Sequence, residues 1–229
     1  MVPVGNAVKV ITCSYDVFYG LCLRGTSKYK ENGKIDWKSV NSLISYYSKD
    51  VTELKGSRGS SSGDFYTFRG IMNTYNKELF GENLNFGICG QAEDRCLAET
   101  MDKGDFWLAI NEQTHKLPIE VNNSNDLKSL LIHEWEHNLL KENDPAYDAL
   151  GTLSESTKEL ESLNAEIINK NFKGVSKAYR NHVIGNIADE FGKMNQKELD
   201  YWKPIIEKEL NGTYTKNNEG IFEFKKNKK

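Results

Sequence analysis

The stretch SLLIHEWEHNLLKEN, residues 129–143, decides how this chain is read. Leu130, Leu131, Leu139 and Leu140 recur at helical spacing around a polar centre, which predicts a helix rather than a loop. His133 and His137 stand four positions apart, so they share one helical face with Cβ atoms about 5–6 Å from each other. A ring nitrogen from each can then reach one ion at about 2.0–2.1 Å. Glu134 is rotated off that pair, yet it can reach a water held at the ion's open position.

His-Glu-x-x-His on a helix is the pattern of zinc peptidases, in which the glutamate is the general base. The plainer alternative is a surface helix whose HEWEH is solvated decoration, since so short a pattern also arises by chance. Three features favour the metal. The motif lies among leucines, a helical stretch follows that can return a third ligand, and a candidate strand precedes it. Zincins use such an edge strand to hold peptide by backbone pairing.

A catalytic zinc takes three protein ligands and leaves a fourth position for water. The metzincin solution requires Gly and His at the third and sixth positions after the second histidine, where this chain has Leu140 and Asn143. A glutamate from the next helix remains. The segment SESTKELESLNAE, residues 154–166, offers Glu155, Glu159, Glu161 and Glu166. Glu155, Glu159 and Glu166 fall near one face, while Glu161 points elsewhere. Glu159 leaves room for a turn and an antiparallel return, and Glu155 stays a rival.

Composition excludes several other classes. With 229 residues the chain can bury a sizeable core. Its net charge of −3, with 28% charged residues, gives no electrostatic reason to expect nucleic acid or an anionic membrane. No run of apolar residues is long enough to span a bilayer, and the start MVPVGNAVKV lacks the features of a signal peptide. Cys13, Cys22, Cys89 and Cys96 are too few for a disulfide scaffold; Cys89 and Cys96 can pair only in an oxidising compartment. There is no CxxC, which argues against cysteine-ligated zinc. Deformylases also carry HExxH but need Gly-Cys upstream, and residues 88–90 read ICG.

Along the chain, residues 7–23 read as extended, and Asp36 is expected to cap a helix running to about residue 54. Residues 55–64, KGSRGSSSGD, form a loop without the GK[ST] ending of a phosphate-binding loop. A second helix is expected over 65–80. DFWLAI, 105–110, and KLPIEV, 116–121, are expected to be two strands joined by a polar turn containing His115. NNSND, 122–126, supplies helix caps, with Asp126 a cap rather than a ligand. From about 152 onward the pattern is helical. Residues 1–210 are read as one domain, and 211–229 as a polar basic tail, frayed or folded into a hairpin. The class is α+β, a small sheet with an active-site helix and a helical C-terminal half. His182 is expected on a helix surface, although it can donate to a developing oxyanion. Tyr179 and Tyr201 are expected in the core.

HEWEH followed by ELESLNAEIINKNFKGVSKAY resembles gluzincin-like metallopeptidase domains at the C-termini of Rhs-type polymorphic toxins of Bacteroidetes. The resemblance covers about residues 104–190 and aligns Glu159, Ser162, Glu166, Phe172 and Ser176 with the family's positions. The chain departs from the family at Ser162, usually Ala, at Glu166, usually Gln, and at Asn169, often His. The resemblance implies a zincin-like fold and Zn2+ held by His133, His137 and Glu159, with Glu134 as the base. It also implies a protein or peptide substrate, a toxin domain released from a carrier into a competitor cell, and a cognate immunity protein. Release from a carrier accounts for the missing signal peptide, as does a cytoplasmic location. The rival from another class is a non-catalytic binding module with a structural zinc site, which has no use for Glu134.

Overall fold

The computed structural model describes residues 30–31, 34–45, 71, 77, 86–91, 98–101, 105–111, 120–139, 145–151 and 153–228. They belong to two compact units, Met1–Cys96 with Asp105–Pro118 and Leu97–Gly104 with Ile119–Lys229.

In the first unit, β1 (Lys30–Glu31) pairs antiparallel with β2 (Lys34–Ile35) and α1 (Trp37–Ser45) follows. Asp36 caps α1 as expected, accepting the Lys38 amide at 3.1 Å and the Ser39 hydroxyl. Val40 and Ile44, one turn apart, are fully buried beneath it. Of the helix expected over 65–80, Ile71 and Lys77 are described; both are helical and Ile71 is buried. The readings of 7–23, 46–54 and 55–64, and those of Cys13, Cys22, Cys96 and His115, lie outside the described residues.

The strands β3 (Phe86–Gln91), β4 (Ala98–Met101) and β5 (Asp105–Asn111) come next. β5 is the strand expected at DFWLAI; it pairs with β3 in parallel register, from Phe86 opposite Phe106 to Gln91 opposite Asn111. The second strand expected, at KLPIEV, does not extend to its end: Glu120 is in a turn and Val121 is buried without regular pairing. Two features account for this. Pro118 has no N–H to give a ladder. Just downstream, the Asp126 carboxylate takes the amides of Asn122 and Asn123, at 2.8 and 3.0 Å, for a helix entry instead.

The second unit is helical: α2 (Ser124–Leu139), α3 (Pro145–Leu150), α4 (Glu155–Ile168), a 3-10 turn (Lys170–Gly174), α5 (Lys177–Lys193) and α6 (Gln196–Leu210). The strands β6 (Gly212–Lys216) and β7 (Phe222–Lys226) close it as an antiparallel hairpin. Helices with small sheets make the class α+β. Among the described residues no helix is long and apolar enough to cross a membrane.

Side chains set where these helices begin. Asn123 and Asp126 satisfy each other's amides at 3.2 and 3.0 Å, a reciprocal cap at the start of α2. Fully buried Asp126 also accepts the Ser176 amide at 2.7 Å, which ties the entry of α2 to that of α5. Burial raises the Asp126 pKa even though these three amides favour its charge. Ser154 caps α4, Ser176 caps α5, and Asn195 with Glu198 forms a capping box on α6. The tail expected at 211–229 takes the hairpin form. Tyr214 and Phe222 are buried, and the Tyr214 hydroxyl donates to the Ile184 carbonyl of α5 at 3.1 Å.

Candidate metal centre

α2 packs along α4, with Leu127, Leu130 and Leu131 of the first and Leu160, Leu163 and Ile167 of the second all buried. Each helix also buries polar groups: Ser129, His133 and Glu134 from α2, and Thr157, Ser162 and Glu166 from α4. A polar group in such a place needs a partner, and a charge needs one more urgently.

His133, His137 and Glu159 form a group able to hold a metal ion, with one ligand atom from each within 4.8 Å of the others. The two histidine Nε2 atoms are 3.2 Å apart. Glu159 presents Oε1 to His133 Nε2 at 3.3 Å and Oε2 to His137 Nε2 at 3.2 Å. Ligands placed tetrahedrally about 2.0–2.1 Å from an ion are separated by roughly 3.3–3.4 Å. Two imidazoles and a carboxylate this close together could hold a metal ion.

Electrostatics favour a cation at the same point. Burial opposes charge on His133, but hydrogen bonding to Glu159 and Glu166 and the nearby carboxylate charges outweigh it, holding its pKa well above the ordinary histidine value. Burial works against the Glu159 carboxylate as well, yet the two histidines hold its pKa far below the usual range. A field that retains a proton this strongly also attracts a metal. The two differ in that metal binding requires the proton to leave.

Both histidines are gripped at the second ring nitrogen. Glu166 Oε2 faces His133 Nδ1 at 3.5 Å, and Ser162 Oγ lies 3.1 Å from His137 Nδ1. The rings stand nearly perpendicular, at 78°, with centroids 4.9 Å apart. His133 is enclosed, whereas His137 and Glu159 keep side-chain exposures of 28% and 29%, enough to meet solvent. They open into a cleft of about 510 Å³, whose walls carry Glu155, Lys158, Glu190 and Lys193. Glu134 is buried beside His133, and its charge acts on both His133 and Tyr179.

The other candidates are placed apart from this group. Glu155 is exposed and pairs with Lys158 at 2.7 Å, although it lines the cleft. Glu161 is not among the group able to hold an ion. His182 meets Asn186 on its own helix at 3.1 Å, and its ring is tilted against Tyr179 with centroids 6.5 Å apart. Tyr179 is buried next to Glu166, whose charge, after burial itself, raises its pKa. Tyr201 stands edge-on to Trp202. The sequence offers Glu166 as an alternative ligand and a position of the resembled family, and Ser162 as a family position. Their contacts to the histidines were missed, although both recur on the Glu159 face of α4 at three and seven positions on.

No protein-family model, no curated protein and no solved structure matches this chain.

Proposed function

We propose that this protein is a zincin-like, zinc-dependent peptidase. The observation that carries the reading is the group of His133, His137 and Glu159, with one ligand atom from each within 4.8 Å of the others and an open cleft reached through His137 and Glu159. Zinc bound there supplies a Lewis acid that polarises a scissile carbonyl and brings the pKa of a bound water toward ~7. Glu134 takes a proton from the attacking water and delivers it to the leaving amine. The two histidines and Glu159 fix the geometry, and the half-open side at His137 admits substrate.

A closed structural zinc site, as in a binding module, calls for a fourth protein ligand. Among the described residues the group has three members, and Glu134 stands beside them without belonging to it. This favours the catalytic reading. The resemblance to the toxin domains extends it: the substrate is protein or peptide, the chain is delivered to a competitor cell, and an immunity protein blocks it in the producer.

The test joins metal analysis to a Glu134→Gln variant. Purified wild-type protein is expected to carry one zinc per chain. Glu134→Gln should keep that zinc and the fold while losing several orders of magnitude in peptide turnover. Metal loss in that variant would make Glu134 a ligand and sink the mechanism.

A further inference from the structure

The geometry points to Glu166 as the residue that positions His133 for the metal, with Ser162 a weaker counterpart behind His137. The inference rests on the metal reading above and concerns how the two histidines are held, which makes the centre asymmetric.

Glu166 is 1% exposed, packed in the α2–α4 layer, and its Oε1 has no hydrogen-bond partner. An ionised side chain in such a place costs stability unless a cation is close by. Among the described residues the cation facing it is His133, whose Nδ1 lies 3.5 Å from Oε2, and Tyr179 bonds it as well. A carboxylate can only accept, so it fixes the hydrogen on Nδ1 and leaves the Nε2 lone pair directed at Glu159 and His137. A glutamine does not impose this, because it can turn its NH2 to the ring and favour the other tautomer. Charge balance agrees. A divalent ion on two neutral imidazoles and one carboxylate leaves a buried excess positive charge, which Glu166 neutralises. His137 is less enclosed and has only the Ser162 hydroxyl, at 3.1 Å, behind its ring. A hydroxyl can accept or donate and brings no charge, so its hold is weaker.

The experiment compares wild type, Glu166→Gln and Ser162→Ala by competitive chelator titration with Zn2+. It adds the melting temperature of each metal-free protein and the NMR resonance of the His133 Nδ1 proton in the zinc-loaded form. Glu166→Gln is expected to weaken zinc about 10–100-fold, and Ser162→Ala less than tenfold. In the metal-free protein Glu166→Gln also takes a partner from the charged His133, so its melting temperature is expected to fall, and zinc affinities are compared where each metal-free protein is fully folded. The His133 Nδ1 proton of the variant should move upfield. A merely structural role would lower metal-free stability while leaving the zinc affinity of the folded variant within about twofold of wild type and the His133 Nδ1 resonance in place. That result overturns the inference, as does unchanged zinc affinity in Glu166→Gln. A wild type that takes up no zinc overturns the metal reading itself, and this inference with it.

Discussion

The α2–α4 pair and the α5–hairpin pair are both amphipathic layers in the same unit, yet they bury different chemistry. Asp126, Ser129, His133, Glu134, Thr157, Ser162 and Glu166 are enclosed in the first. In the second, Tyr179, Val183, Ile187 and Phe191 repeat every four residues along α5 and are all buried, as are Tyr214 and Phe222 of the hairpin. The ring of Phe191 stands edge-on to Tyr214 at 5.1 Å and to Phe222 at 5.6 Å. An apolar stripe of that kind supplies cohesion. Buried ionisable groups are kept for another reason: His133, Glu134 and Glu166 gather around the candidate metal group, while Asp126 joins the entries of α2 and α5. The comparison teaches that the two layers divide the work: one holds the chemistry and the other holds the fold.

The division is tested most severely at the ligands. Glu159→Ala should abolish stoichiometric zinc binding in a chelator titration, well beyond the ~10–100-fold that a residue behind a ligand contributes. Glu155→Ala, at an exposed side chain paired with Lys158, should leave binding within about twofold of wild type. The reverse order would move the ligand role to Glu155. Equal, negligible effects would place the third ligand elsewhere.

On the other side of the comparison, Phe191→Ala should destabilise the protein by about 3–5 kcal/mol in urea unfolding, through lost burial and the cavity left among Tyr214 and Phe222. The fraction that remains folded should still bind one zinc. If Phe191→Ala lowers zinc affinity while folded, the two layers are coupled and the division fails.

The smallest effect is expected where α6 meets the start of α4. Glu198 accepts the Asn195 amide at 3.0 Å within its own capping box and the Thr157 hydroxyl at 3.3 Å. Burial opposes its charge, but the Ser154 and Thr157 hydroxyls and the Asn195 amide together lower its pKa below the ordinary value of 4.5. A carboxylate whose folded pKa is depressed contributes stability that is present above the unfolded value and lost as pH falls through the folded one. Glu198→Gln should therefore cost about 1 kcal/mol at pH ~7, and the gap to wild type should close as the medium is acidified below the carboxylate range. A gap that widens on acidification would mean the carboxylate is not what stabilises this junction.

Much of the candidate site was legible in the sequence because its signal is local. The spacing of His133 and His137 on one helix needs only the helical repeat to place both rings on one face, and Glu134 follows from the same repeat. The helical stretch after residue 152 and the cap at Asp36 were legible for the same reason: 3.6-residue periodicity and side-chain capping act within a few positions. Other features depend on which segments meet, and no local pattern carries that. DFWLAI pairs in parallel with a strand some twenty residues upstream, which its own alternation does not reveal. Glu159 and Glu155 share a helix face, and only the way α4 lies along α2 turns one to the histidines and leaves the other in solvent. Asp126 reads as a cap in the sequence, but its third amide comes from Ser176, fifty positions away. The sequence by itself determined the pair of histidines, the glutamate beside them and the helices that carry them, through short-range periodicity. The glutamate that joins the histidines, the carboxylate behind His133 and the hairpin on α5 were decided only by tertiary packing, because each depends on the burial of one element against another far along the chain.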